Sequence, residues 1–348
     1  MPPSTFTPSP FCPPPLLSAP HVQTLLPYVL RNGKGVTLRR ERITLPDGDF
    51  LDLDFADLPR HGVHQNSPPS PTEDERRSWP LVLLLHGLEG NTHSGYIFET
   101  IRHLAGYGIP SVPLNHRGCS GEPNRSPRAY HSGETRDLAF VVAWLGEKFP
   151  GRRLMAVGFS MGANMLIKYL GERGSDTPLR AGVAVSPPFD LGRGSDRMAE
   201  GFNNLYTQTF LRRLKRKTVA KTALYQGILD VPTVLAARTL RGFDNAFLAP
   251  VYGFRDADDY YTQASSGQFL AGIRVPTLII RAKDDPFFDP ADIPYAVLNA
   301  NPFLTPAIPE KGGHVGFMEG VGKFWAEREA ARFLNLNTAD TKEHEERN

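Results

Sequence analysis

The 348-residue chain carries 39 basic against 37 acidic side chains, a formal charge of +2, with 40% apolar residues. That is enough for a full buried core, and the near-neutral balance argues against a polyanion partner, so nucleic-acid binding is not expected. Two cysteines, Cys12 and Cys119, make neither a disulfide framework nor a zinc-ligand cluster, which suits a reducing compartment.

The chain opens on a Pro-rich stretch in which prolines interrupt every apolar run. It lacks the basic n-region of a secretory signal, and no later segment reaches the apolar length of a membrane span. A cytoplasmic protein is expected. Phe6, Phe11 and Leu16-Leu17 mark residues 1–30 as an arm that packs along the body. Alternation in Arg42-Ile43-Thr44-Leu45 and Phe50-Leu51-Asp52-Leu53-Asp54-Phe55, across the turn Pro46-Asp47-Gly48-Asp49, predicts an antiparallel hairpin with one wet face. Residues 60–79, polar and rich in Pro and Ser, predict an exposed loop.

Leu81–Leu85 is a continuous apolar run, as expected of a strand buried on both faces. Similar runs recur at 109–113, 154–158, 182–186 and 276–281, with helix-period segments such as 137–147 and 162–172 between most of them. The alternation predicts an α/β fold: right-handed crossovers and a mostly parallel sheet covered on both faces, extended by the antiparallel hairpin. Regularity breaks between Ser186 and about Gly272, where the pattern is helical and poor in strands. An insertion of that length between two strands (187–272) predicts a lid over the strand ends, where open α/β sheets keep their ligand crevice. Phe303-Leu304 opens a short last strand, and a final helix is expected near 322–334. The body then spans 31–335 as one domain, followed by a polar tail over 336–348.

The sharpest chemical signal is Gly158-Phe159-Ser160-Met161-Gly162, set between the apolar run at 154–157 and a helical pattern starting at Ala163. Strand, tight turn and helix around G-x-S-x-G form a nucleophile elbow, in which side chains at 158 or 162 would crowd the neighbouring strand or helix. A serine hydroxyl is a weak nucleophile and needs a base, which an elbow of this kind takes from downstream in the order Ser, acid, His. Asp284 and Asp285 lie just past the strand at 276–281, and His314 sits in the glycine-rich Gly312-Gly313-His314-Val315-Gly316. Successive residues at a strand end point in opposite directions, so one of the two carboxylates faces His314; the residues alone do not choose between them. His86-Gly87-Leu88-Glu89-Gly90 follows the first buried strand, and the Leu88 N–H is expected to join that of Met161 as an oxyanion hole.

Each piece also has a bland reading. Ser160 can be a turn serine, His314 a structural histidine, and the aspartates a turn or helix cap. That all three fall in the chain order of one mechanism favours the chemical reading. His86 precedes the serine and reads as structural. His93, His116 and His131 lack metal-ligand spacing, so no metal is expected. Cys119 reads as a small loop residue, and Arg212-Arg213-Leu214-Lys215-Arg216-Lys217 as a solvated face, with docking on anionic lipid as its other reading.

These residues carry a resemblance. His21-Val22-Gln23-Thr24-Leu25, Leu45-Pro46-Asp47-Gly48-Asp49, His86-Gly87-Leu88-Glu89-Gly90, Asn115-His116-Arg117-Gly118-Cys119-Ser120-Gly121 and His131-Ser132-Gly133-Glu134-Thr135 belong to it. So do the elbow, Asp259-Tyr260-Tyr261, Ala282-Lys283-Asp284-Asp285-Pro286 and the His314 loop. Together they resemble the YheT-like branch of the α/β-hydrolases, which includes plant embryogenesis-associated proteins and animal lipid-acting hydrolases. The resemblance implies a serine carboxylesterase acting on a small-molecule ester or lipid ester, without cofactor. It implies the acid before the proline, Asp285, as the partner of His314. Animal members commonly carry a membrane anchor that the Pro-rich arm does not match, so peripheral lipid contact is the most that carries over. An acyltransferase on the same scaffold and a non-catalytic ligand-binding relative are the rival readings. For the segment 131–135 the sequence offers only a helix cap, Glu134 or Thr135.

Overall fold

The computed structural model describes residues 6–56 and 79–338. Apart from Trp79, the expected loop at 60–79 lies outside the described residues, as do residues 1–5 and 339–348 of the arm and tail. The strands are β1 (Leu38–Thr44), β2 (Phe50–Ala56), β3 (Leu81–Leu85), β4 (Ser111–Asn115), β5 (Leu154–Phe159), β6 (Leu179–Val185), β7 (Thr277–Ile280) and β8 (Leu304–Ala307). They form one sheet in the order β1-β2-β4-β3-β5-β6-β7-β8. From β4 to β8 neighbours are parallel, while β1–β2 and β2–β4 pair antiparallel, as the sequence pattern predicts.

Side chains along β3 alternate between two apolar layers. Leu81, Leu83 and Leu85 join a cluster with α3 (Thr135–Lys148) and α4 (Met161–Arg173). Val82 and Leu84 face the opposite cluster, filled by α2 (Gly95–Gly106) and the last helix, Trp325–Leu336. A strand lined with Leu on both faces can be buried only between two helical layers. The last helix starts at Trp325 because Met318–Gly320 and Lys323–Phe324 first form a small hairpin that the sequence pattern did not reveal.

The expected wet face of the first hairpin holds only on β1, where Arg39, Arg40, Arg42 and Thr44 are exposed; on β2 it is a correction, since every residue there is buried. Asp52 and Asp54 lie directly opposite Arg42 and Arg40 in register. Each pair is bidentate, with N···O distances of 2.8 and 2.9 Å. The polar half of the alternation therefore meets guanidinium forks rather than water.

Residues 6–11 run along the last helix. Phe6 stacks edge-on against Phe333, Phe11 against Phe317, and the Ser9 hydroxyl donates to Glu329 at 2.7 Å. The arm also holds a helix that its sequence does not announce, α1 (Pro20–Leu30), with Pro20 supplying a pre-set φ at its first position. Between β6 and β7 the chain runs through helices including α5 (Leu191–Met198), α6 (Asn203–Ala220), α7 (Val231–Ala236) and α8 (Ala257–Ala264). They enclose an apolar cluster of their own around Leu211, Tyr225, Phe243 and Phe247. The basic run in α6 is not uniformly solvated. Arg212 and Arg216 are exposed, while Arg213, Lys215 and Lys217 turn inward to protein acceptors. Among the described residues no helix is long and apolar enough to cross a membrane.

Candidate active site

Strand order reverses at β3, which lies between β4 and β5, and such switch points open a crevice at the carboxyl ends of the strands. Leu85 pairs with Gly158, so the loops leaving β3 and β5 start side by side. Ser160 follows β5 directly, with φ 52° and ψ −115°, a strained backbone for a non-glycine residue. Both elbow glycines are required sterically. A Cβ at Gly158 would sit 2.4 Å from the Gly162 carbonyl oxygen, and one at Gly162 would sit 2.5 Å from that of Leu85.

The three side chains singled out by the sequence meet here. His314 Nε2 lies 2.9 Å from Ser160 Oγ, and its Nδ1 lies 2.8 Å from Asp285 Oδ2. Asp285 is 1% exposed and His314 8%. The other Asp285 oxygen accepts the Phe287 N–H at 2.9 Å, which fixes the carboxylate plane. Arg281 Nε stands 3.8 Å from Asp285, a cation beside the acid. Asp284 serves the backbone instead. Its Oδ1 accepts the Gly313 N–H at 2.9 Å, and burial pushes its carboxyl pKa up. One aspartate thus holds the imidazole and the other the chain segment that carries it.

The loop bearing His314 is strained. Gly313, Val315 and Phe317 have φ of 60°, 56° and 47°. A left-handed Val or Phe persists only when its surroundings over-determine it. Here α1 does so. Thr24 Oγ1 accepts the His314 N–H at 3.0 Å, and Gln23, fully buried, exchanges two hydrogen bonds with the Met318 backbone. Arg31 donates to the carbonyls of Val315 and Gly316 at 2.9 and 2.8 Å and pairs with buried Glu327 at 2.6 Å. Ser186 Oγ, at the end of β6, accepts the Val315 N–H at 3.1 Å. In the sequence Gln23 and Thr24 stand out only as part of a motif, and Arg31 and Ser186 not at all; nothing local marks contacts made so far away in the chain.

Around the candidate oxyanion loop, the Gly87 N–H donates to Tyr96 Oη at 3.0 Å and the Glu89 N–H to Tyr130 Oη at 2.9 Å. Among the described residues neither the Leu88 nor the Met161 amide donates to a protein acceptor, and the two side chains pack in one cluster. His86 is fully buried. Its Nδ1 donates to the Gly87 carbonyl and its Nε2 accepts the His116 N–H, and burial holds its pKa well below the ordinary value. Both ring nitrogens are spent on shaping the loop, as a structural role requires.

The segment 131–135 gains a structural account. Glu134 caps α3 by accepting the Arg136 N–H, and burial lifts its carboxyl to about 7. The Ser132 carbonyl accepts from Asn164 Nδ2 at 2.8 Å, and the same amide donates to Ala264 while its oxygen accepts the Ser266 N–H. Asn164, wholly buried in α4, thereby ties the segment and the end of α8 to the elbow helix.

Residues 80–321 match the family model described as alpha/beta hydrolase fold. The chain belongs to the α/β-hydrolase family. YheT of Escherichia coli, named as a candidate esterase, is 39% identical over 302 residues, covering 86% of this chain and 84% of that protein. A mouse protein named phospholipase ABHD3 is 33% identical over 300 residues, 86% of this chain and 71% of its own. These place the chain in the YheT-like branch and among esterase- and lipase-type hydrolases. Among solved structures, the Pyrococcus furiosus esterase Pf2001 superposes with a TM-score of 0.56 at 18% identity, covering 87% of this chain and 92% of that one. That likeness carries the fold alone.

Proposed function

We propose that the protein is a serine-dependent carboxylic ester hydrolase for short- to medium-chain acyl esters, lipid esters among them. Ser160 Oγ attacks the ester carbonyl while His314 Nε2 takes its proton. Asp285 holds the Nδ1–H tautomer and stabilises the imidazolium as it forms. The Leu88 and Met161 N–H groups receive the oxyanion, each contributing about 2.7–4 kcal/mol to lowering the barrier. The imidazolium protonates the leaving alcohol; the same ring then draws a proton from water as its oxygen attacks the acyl carbon, and returns it to Ser160 Oγ as the bond to the serine breaks and the acid departs. The helices between β6 and β7 act as the lid, and the arm, over its described residues 6–30, braces the body. Phe287 stacks 4.2 Å from the His314 ring, with Phe288, Met198, Tyr206 and Phe210 packed around it, a fitting apolar wall for an acyl chain.

The observation that carries this reading is the continuous line Ser160 Oγ–His314–Asp285, with both hydrogen bonds under 3 Å. Hydrolysis of p-nitrophenyl esters of increasing chain length, wild type against Ser160→Ala, tests it. The variant should lose on the order of 10⁶-fold in kcat. Equal rates in the two proteins reject the reading, and a cutoff at short chains confines it to small esters.

A further inference from the structure

The loop after β3 is bound to α6 by a cluster that the reaction above does not use. Tyr130 Oη accepts the Glu89 N–H at 2.9 Å and donates to Glu89 Oε1 at 2.7 Å. Its ring is held by His116, stacked at 5.4 Å, and by His86 edge-on. Lys217 Nζ, reaching in from α6, donates to the same Oε1 at 2.7 Å and also contacts Cys119 Sγ at 3.2 Å. Arg213 of that helix donates to the Glu89 carbonyl. Glu89 itself has φ 54°, and its side chain is 2% exposed against 33% for Lys217.

A phenol carries one proton. Buried with its oxygen turned to the Glu89 amide, Tyr130 needs a standing acceptor for that proton, and the buried carboxylate is one as long as the ammonium pairs it. With Tyr96 holding the Gly87 amide, both neighbours of Leu88 are tied down and its own N–H is kept for a ligand. We infer that Tyr130, Glu89 and Lys217 are positioning residues for the Leu88 oxyanion donor, so that the hole is set only while α6 is docked. This rests on the ester-hydrolase reading above.

The test is steady-state hydrolysis of p-nitrophenyl butyrate by the full chain. Lys217→Met is expected to lower kcat about tenfold or more with KM changed less than about twofold, the ceiling being the 10²–10³ lost with a whole donor. Lys217→Arg, which keeps a cation at Glu89, should recover most of the rate, and exposed Arg216→Gln on the same helix should match wild type. Tyr130→Phe should fall by a similar factor, and the double variant no further than the worse single one, because both act through Glu89. Inhibition by an alkyl trifluoromethyl ketone, whose tetrahedral adduct needs the same donors, should weaken in step with kcat. Should Tyr130→Phe fail to fold, Lys217→Met decides alone. Unchanged kcat in Lys217→Met, or a rise in KM only, overturns the proposal. Ser160→Ala hydrolysing like wild type would instead remove the reading beneath it.

Discussion

Ser160 owes its pose to the turn it sits in, whereas His314 is held by a helix 290 positions earlier in the chain and by the ends of β6 and β7. At the elbow, Gly158, Gly162 and the β3 backbone leave one path for the chain, and the strain at Ser160 is imposed by close packing. At the histidine loop, the strain at Val315 and Phe317 is offset by hydrogen bonds exchanged with Gln23, Thr24, Arg31 and Ser186. The first arrangement tolerates no added atom nearby; the second tolerates no lost partner far away. Changes in the arm should therefore reach His314 and leave the elbow alone.

The sharpest test within the histidine side separates its two carboxylates. Asp285→Asn should lower kcat by about 10⁴-fold while the protein stays folded, because the imidazole loses its tautomer. Asp284→Asn keeps an oxygen for the Gly313 N–H and should cost less than about tenfold. Parallel losses in ester hydrolysis, with unchanged circular dichroism, would erase the distinction. On the elbow side, Gly162→Ala forces a Cβ to within 2.5 Å of a carbonyl oxygen. It should destabilise the fold by about 1–3 kcal/mol and, through misplacement of the serine, cost about 10²-fold in kcat. Urea denaturation and initial rates read the two effects separately.

Thr24→Val probes the distant clamp. It leaves the His314 N–H without its acceptor, at about 1–3 kcal/mol, and should lower kcat about tenfold with KM little changed. A wild-type rate would mean that the loop holds its shape without α1. Acid sensitivity, which leaves the rate at neutral pH untouched, belongs to the elbow side. Burial brings His116 down to about 4, and His131, beside the Asn164 tie, down to about 3. Below pH 6.5 the unfolded chain protonates these two imidazoles and the folded chain does not, so their own contribution to stability falls as pH drops from 6.5 toward 4, while the buried Glu134 carboxyl, lifted to about 7, contributes with the opposite sign. The limiting slope is about 1.4 kcal/mol per pH unit per histidine. His131→Gln should flatten the pH dependence of the urea midpoint by one such group, and an unchanged slope would show that His131 is not held neutral.

Much of the architecture was legible because its causes are local. Apolar runs of five or six residues announced the buried strands, and helix-period segments between them announced the parallel order. The hairpin was legible too, but the burial of its second strand was not. Asp52 and Asp54 look solvent-facing in any local window, and only their register with Arg42 and Arg40 makes them interior. The Pro-rich opening concealed α1 because helix propensity there is poor and packing overrides it. In the basic run, Arg212 and Lys217 are alike in sequence and differ only in which face of α6 meets the loop after β3.

By itself the chain's order of residues determined that a serine would stand on a tight turn at a strand end and that a carboxylate and an imidazole would follow it. Steric limits on glycine and the periods of helix and strand act over a few residues, so they can be read there. Local physics left open which aspartate meets the ring, though the family resemblance pointed to Asp285; only the tertiary structure put Asp284 on the Gly313 backbone. It also decided that the arm clamps the histidine loop and that a lysine from α6 reaches the turn after β3. Those outcomes depend on hydrogen bonds between segments brought together by packing, and no local pattern encodes such partners.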